Sequence, residues 1–116
     1  MSNIRIYHNP RCSKSRQTLE IIRSEGIEPQ VILYLEEALS HHEIADALRK
    51  LDMKPQDVMR KTEPEFKEYF SSLSELSDTQ MIDLMRTYPK VIERPIIVTE
   101  TAAVIGRPPE RVRDIL

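Results

Sequence analysis

Cys12 is the one cysteine in this chain of 116 residues. It sits in the stretch YHNPRCSKSRQT, with His8 before it, Ser15 after it, and Arg11, Lys14 and Arg16 around it. A lone cysteine is ordinarily a small core residue. Three features set this one apart. An apparent strand precedes it and an apparent helix opens at it, so the sulfur stands where unpaired backbone N–H groups and the helix dipole favour an anion. Its neighbours are polar or cationic, a poor composition for core filler. It also follows the carboxyl end of the first strand, where open α/β sheets place ligands. Such surroundings lower a thiol pKa from about 8.5 into the range of roughly 4 to 7. A drop of about 2 units favours the charged form by about 2.7 kcal/mol. Cys12 reads as a reactive thiolate.

His8 lies across the Asn9-Pro10 bend from Cys12. As an imidazolium it would hold the thiolate, and as a neutral ring it could pass protons; equally, it could simply end the strand. Ser15, one turn on, either donates a hydroxyl hydrogen bond to the sulfur or is an ordinary first-turn serine. The spacing excludes two relatives. A phosphatase-type loop needs an arginine six positions after its cysteine, and position 18 is Thr18. A CxxC redox pair fails because Ser15 stands at its second position. With no resolving thiol in the chain, any adduct on Cys12 must be relieved by a thiol from outside.

The elements that must position this cysteine follow from periodicity. Ile4, Ile6 and His8 alternate as a short strand, broken at Asn9-Pro10. Leu19, Ile21 and Ile22 give a helix from about Cys12 to Glu25, with Gly26 as its C-cap. The apolar run Val31-Ile32-Leu33-Tyr34-Leu35 reads as a buried strand, completing a βαβ unit. The middle is helical. Ser40 with Glu43 and Ser77 with Gln80 are capping boxes, Pro55 starts a further turn, and a short helix is expected near Glu65–Phe70. Ile96-Ile97-Val98-Thr99 then reads as a strand, with Ala102–Ile105 pairing back across Glu100-Thr101. Gly106 is expected to take an unusual backbone angle, and Pro108 or Pro109 to start a terminal helix. Without the helical block the order is β-α-β-β-β-α. This is an α/β, thioredoxin-like mixed-sheet core in one domain, 1–116, with a helical insertion at about 37–90.

Composition agrees with a single soluble domain. Hydrophobic residues are 40% and charged residues 31%, with a net charge of −2, which favours neither nucleic acid nor a basic membrane anchor. No run approaches the roughly 20 apolar residues of a membrane span. No signal peptide opens the chain, and a single cysteine suits a reducing compartment, so the cytoplasm is expected. No familiar metal-ligand spacing appears. His41, His42 and the Glu36-Glu37 pair read as surface and capping residues.

The stretch IYHNPRCSKSRQTLEIIRSEGIEPQVILYLE, together with LMRTYPKVIERPIIVT and IGRPPERVRDIL, resembles the ArsC family of glutathione- and glutaredoxin-dependent arsenate reductases. The His8-x3-Cys12-x3-Arg16 spacing matches its active-site motif, and the likeness is closest to the short YfgD-like branch. The resemblance implies a thioredoxin-like fold with a helical insertion and Cys12 as the catalytic nucleophile; His8 and Ser15 stand beside it as catalytic candidates from their positions. It also implies substrate-binding arginines at Arg60, Arg94 and Arg107, and a cis proline at Pro95. Guanidinium forks suit a tetrahedral oxyanion because they bind its oxygens bidentately. The implied reaction is thiolate attack on arsenate, then electron transfer from glutathione as co-substrate and glutaredoxin as partner, with no bound cofactor.

Two other classes carry different expectations. An Spx-like regulator binding RNA polymerase would share the Arg94-Pro95-Ile96-Ile97 segment but lacks its CxxC switch here, and Arg107 would be idle. A monothiol oxidoreductase acting on glutathione mixed disulfides would use Cys12-x-x-Ser15 and need no arginine cluster.

Overall fold

The computed structural model describes residues 3–70 and 72–116. The chain divides into two compact units: the segment up to Glu37 with Arg94–Leu116, and Ala38–Glu93. The first has the thioredoxin-like arrangement. Its strands are β1 (Arg5–Tyr7), β2 (Gln30–Ile32), β3 (Ile96–Val98) and β4 (Ala103–Ile105), in the sheet order β2-β1-β3-β4. β1 runs parallel to β2 and antiparallel to β3, and β3 is antiparallel to β4. The register aligns Tyr7 with Ile32 and Ile96, and Ile96 with Ile105. The segments that follow β1, β2 and β4 and the one that precedes β3 therefore meet at one end of the sheet.

Helix α1 (Ser13–Ser24) connects β1 to β2. It closes in a Schellman pattern, with Gly26 N–H donating to the Arg23 carbonyl and Ile27 N–H to that of Ile22. Gly26 supplies the left-handed φ of 80° that this ending requires. Leu19 and Ile22 on α1 pack with Ile4, Ile6, Ile97, Val104 and Val112 into the core of the unit. Burial of each such side chain is worth about 1.5–3 kcal/mol. All three residues of β3 are buried, as a central strand requires.

Three local expectations are corrected. β2 stops at Ile32, not Leu35, because the backbone turns at Leu33, whose carbonyl accepts from the Glu36 and Glu37 amides. The terminal helix, Pro109–Ile115, is a 3-10 helix and not an α-helix, with Pro108 at its N-cap and Pro109 in its first turn. Gly106 does not take a left-handed angle, since Gly26 is the positive-φ glycine among the described residues. Its requirement is space. A Cβ there would lie 2.5 Å from Thr18 Oγ1 and 2.9 Å from Pro95 Cγ.

The second unit carries α2 (His41–Leu51), α3 (Pro64–Tyr69) and α4 (Asp78–Thr87), with 3-10 turns at Pro55–Val58, Leu73–Glu75 and Pro89–Val91. The Ser40–Glu43 and Ser77–Gln80 capping boxes form reciprocally, as their spacing predicts. A bridge between Met59 and Ile92 ties the segment after the first turn to the end of the unit.

The glycine contact makes a direct prediction. Gly106→Ala should lower unfolding stability by about 1–3 kcal/mol through overpacking. Thr18→Ala removes two of the three close atoms, so urea unfolding of the double variant should show less loss than the two single losses added. Strict additivity would count against this contact as the reason for glycine.

Candidate active site

The turn from β1 into α1 is tied by a set of hydrogen bonds. Cys12 N–H donates to the Asn9 carbonyl at 3.0 Å, and Arg11 N–H to Asn9 Oδ1 at 3.0 Å. Arg16 reaches back from the helix to donate from Nη1 to the Pro10 carbonyl at 2.9 Å. Beneath the turn, Ser15 Oγ accepts from the Asn9 amide at 3.1 Å and lies 2.6 Å from His8 Nδ1. His8 N–H donates to the Ile32 carbonyl at 2.8 Å, extending the β1–β2 ladder into the loop. Cys12 is thereby fixed as the N-cap of α1, with extended φ and ψ of −94° and 122°.

Cys12 is 9% exposed. Burial pushes its thiol pKa up, yet the net direction is down. The Ser15 amide acts first against desolvation, followed by the Arg94 charge, the Lys14 amide and the Arg107 charge. The first turn of α1 holds no acidic residue to compete for the dipole. Arg107 Nη2 is 3.6 Å from Sγ, while its Nε donates to the Arg94 carbonyl at 2.8 Å. One end of that guanidinium is anchored, and the other meets the sulfur.

Both arginines directly precede a cis peptide bond, Arg94-Pro95 and Arg107-Pro108. The first is as the resemblance implies; the second had no separate sequence signal. Arg94 buries its Nε and Nη1 with no hydrogen-bond partner among the described residues. Leaving a buried donor unpaired costs about 1–3 kcal/mol, more when the group is charged. Cys12, Arg94 and Arg107 are thus brought together within the first unit.

His8 and Ser15 stand differently from the roles considered above. The Ser15 hydroxyl turns to His8 and Asn9, and it is the Ser15 backbone amide that acts on the sulfur. Burial, with help from the Arg23 and Arg16 charges, lowers the His8 pKa, which opposes an imidazolium near neutral pH. Arg60 belongs to the second unit, where its guanidinium pairs with Glu63 and approaches Glu93 Oε1 at 3.8 Å. Its amide donates to the Val91 carbonyl at 2.6 Å. Two residues that spacing did not single out, Asn9 and Thr18, shape the turn and seat Gly106. Only the Asn-Pro bend hinted at the first.

Among the described residues no group of three or more His, Cys, Asp or Glu side chains is placed to hold a metal ion. None of their helices is long and apolar enough to cross a membrane.

The model of the ArsC family matches residues 7–115. YfgD from Escherichia coli (strain K12) is 45% identical over 114 residues, covering 97% of this chain and 96% of the relative. An arsenate reductase from Escherichia coli is 44% identical over 116 residues, 100% of this chain and 82% of the relative. The solved structure of an arsenate reductase from Vibrio cholerae is similar at a TM-score of 0.93 and 44% identity, covering 98% of each chain. A family model that spans nearly the whole chain, and relatives this similar along its length, establish that the chain belongs to the ArsC family.

Proposed function

We propose that this protein reduces arsenate to arsenite, with Cys12 as nucleophile and with glutathione and glutaredoxin as the external thiols. The observation that carries the reading is Arg94. It buries two unpaired guanidinium N–H donors beside a thiol whose pKa is lowered. Arg107, at 3.6 Å from the sulfur, adds a second fork to the same place. Buried cationic donors next to a nucleophile suit a multiply charged tetrahedral oxyanion. The similar proteins named arsenate reductase supply arsenate as that oxyanion.

The chemistry balances with one cysteine in the chain. The Cys12 thiolate attacks arsenic(V), forming an S–As bond and releasing hydroxide. Arg94 and Arg107 offset the charge that would otherwise repel a thiolate from arsenate. Glutathione thiolate adds to arsenic and displaces a second hydroxide. A glutaredoxin thiolate then attacks the glutathione sulfur. The electron pair of that S–As bond stays on arsenic, which becomes arsenic(III), and glutathione leaves joined to glutaredoxin as a mixed disulfide. Hydrolysis of the Cys12–arsenic(III) bond releases arsenite and returns the thiol. We assign the activity to the cytoplasm, where thiols are held reduced.

The roles of the remaining residues follow from their contacts. Ser15 orients the His8 ring and gives its own amide to the sulfur. His8, disfavoured as a cation, suits proton passage better than charge stabilisation. The resemblance gives Arg60 to the oxyanion as well; within the second unit its guanidinium pairs with Glu63 and approaches Glu93.

Two outcomes test the reading. Purified protein with arsenate, glutathione and glutaredoxin should form arsenite, and Cys12→Ser should abolish it. Arg94→Ala or Arg107→Ala should cut kcat/KM by about a hundredfold or more. Lysine at either position should restore little, lacking the planar fork. No arsenite from the wild-type protein with these thiols would end the proposal. Separately, iodoacetamide alkylation of Cys12 should rise with pH and level off at a midpoint below that of an ordinary thiol, about 8.5. The lowered pKa means the thiolate already dominates where a free thiol is still protonated. Removing either arginine should move that midpoint up.

A further inference from the structure

A second feature is built on the turn that precedes Cys12 in the chain. An open cavity of about 230 Å3 is lined by His8, Asn9, Pro10, Arg11, Leu33, Leu35 and Glu36. Three of these residues are the turn directly before Cys12, and three others follow β2. The cavity therefore lies off the ends of the two parallel strands. Arg94 and Arg107, from the ends of β3 and β4, are not among its lining.

Its chemistry is mixed. Leu33 and Leu35 offer apolar surface, and Leu35 is 38% exposed. Arg11 and Glu36 are both exposed, one of each charge, and neither side chain makes a hydrogen bond or ion pair with another described residue. One cation beside one carboxylate is a poor receptor for a polyanion such as arsenate, which Glu36 would repel. It matches a zwitterion. The cavity is also smaller than the roughly 300–1,000 Å3 of drug-sized sites, which suits one end of a short peptide and not a protein segment.

We infer that this cavity is the docking site for the external thiol, a zwitterionic peptide thiol of the glutathione type. Its ammonium pairs with Glu36, a carboxylate pairs with Arg11, and its methylenes lie on Leu33 and Leu35. The need for such a ligand is set by the sequence, because Cys12 has no second cysteine in the chain to relieve it. Docking beside the Asn9–Arg11 turn delivers the second thiol next to the first while leaving Arg94 and Arg107 to the oxyanion. The inference rests on glutathione being the co-substrate, so its test separates binding from turnover.

The binding arm uses S-methylglutathione, which cannot exchange with Cys12, added to reduced wild-type protein and followed by amide chemical shifts. Shifts should concentrate at Asn9, Arg11, Leu33, Leu35 and Glu36. Glu36→Gln and Arg11→Gln should each weaken binding several-fold, up to about tenfold. In the kinetic arm the same variants should raise KM for glutathione by a similar factor, with KM for arsenate unchanged. Dithiothreitol, which carries no ammonium or carboxylate, should support wild-type and variant proteins equally. No shift at these amides at millimolar ligand overturns the site, as does glutathione-dependent turnover with KM unaltered in both variants. Binding here without arsenate turnover would leave the site standing and remove the arsenate reading instead.

Discussion

Burial and charge oppose each other at Cys12, and the arrangement of the first unit follows from how that opposition is resolved. Desolvation alone would keep a sulfur of 9% exposure protonated. Exposure would solve the charge problem but would surrender the low-dielectric surroundings in which guanidinium groups act strongly. The chain keeps the burial and offsets it with fixed dipoles and cations. Backbone amides of the first helical turn come from α1, and the two cations come from segments far along the sequence. Neither source suffices without the sheet register that brings β1, β3 and β4 to a common end.

Rigidity of the cations matters as much as their presence. Arg107 is held through Nε by the Arg94 carbonyl, so the two arginines are one assembly and not two independent side chains. The Gly106 amide donates to the Pro95 carbonyl at 3.0 Å, and Gly106 presses on Thr18 of α1. The helix that presents Cys12 and the loops that present its arginines therefore approach each other closely at Gly106 and Thr18. A pre-set arrangement avoids reorganisation when charge develops, which is where electrostatic stabilisation is gained.

Legibility in the sequence followed the range of the interactions. Ser40–Glu43 and Ser77–Gln80 close within four residues, and their helices start where the spacing predicts. Cys12 at a helix start was equally local. Leu33–Leu35 misled because three apolar residues look like a strand, while the turn that redirects them depends on which carbonyl the Glu36 and Glu37 amides find. The direction of the Ser15 hydroxyl was beyond spacing, since its partners His8 and Asn9 sit across a bend. Gly106 was legible as special, but not why. Its reason, Thr18, is a helix residue from the other end of the chain. Nothing in the residue pattern alone separated Arg94 and Arg107 from the other arginines; the resemblance did that, and the geometry joins them to Cys12. For Arg60, neither partner was anticipated: Glu63 is near in the chain and Glu93 far from it.

The two flanks of Cys12 differ in a way that bears on selectivity. On the β3–β4 side lie two guanidinium groups, both acting on the sulfur. On the β2 side lie one arginine and one glutamate at the rim of a cavity. A peptide thiol bears carboxylates of its own, and a site with cations alone would draw those carboxylates into competition with the oxyanion. On the proposed reaction, glutathione would then compete with the oxyanion at the site. Under the proposed assignments, Glu36 would favour the ammonium that arsenate lacks, while Arg94 and Arg107 would favour the dense negative charge that a zwitterion lacks. On that reading, discrimination would come from the sign pattern of each group of residues rather than from shape.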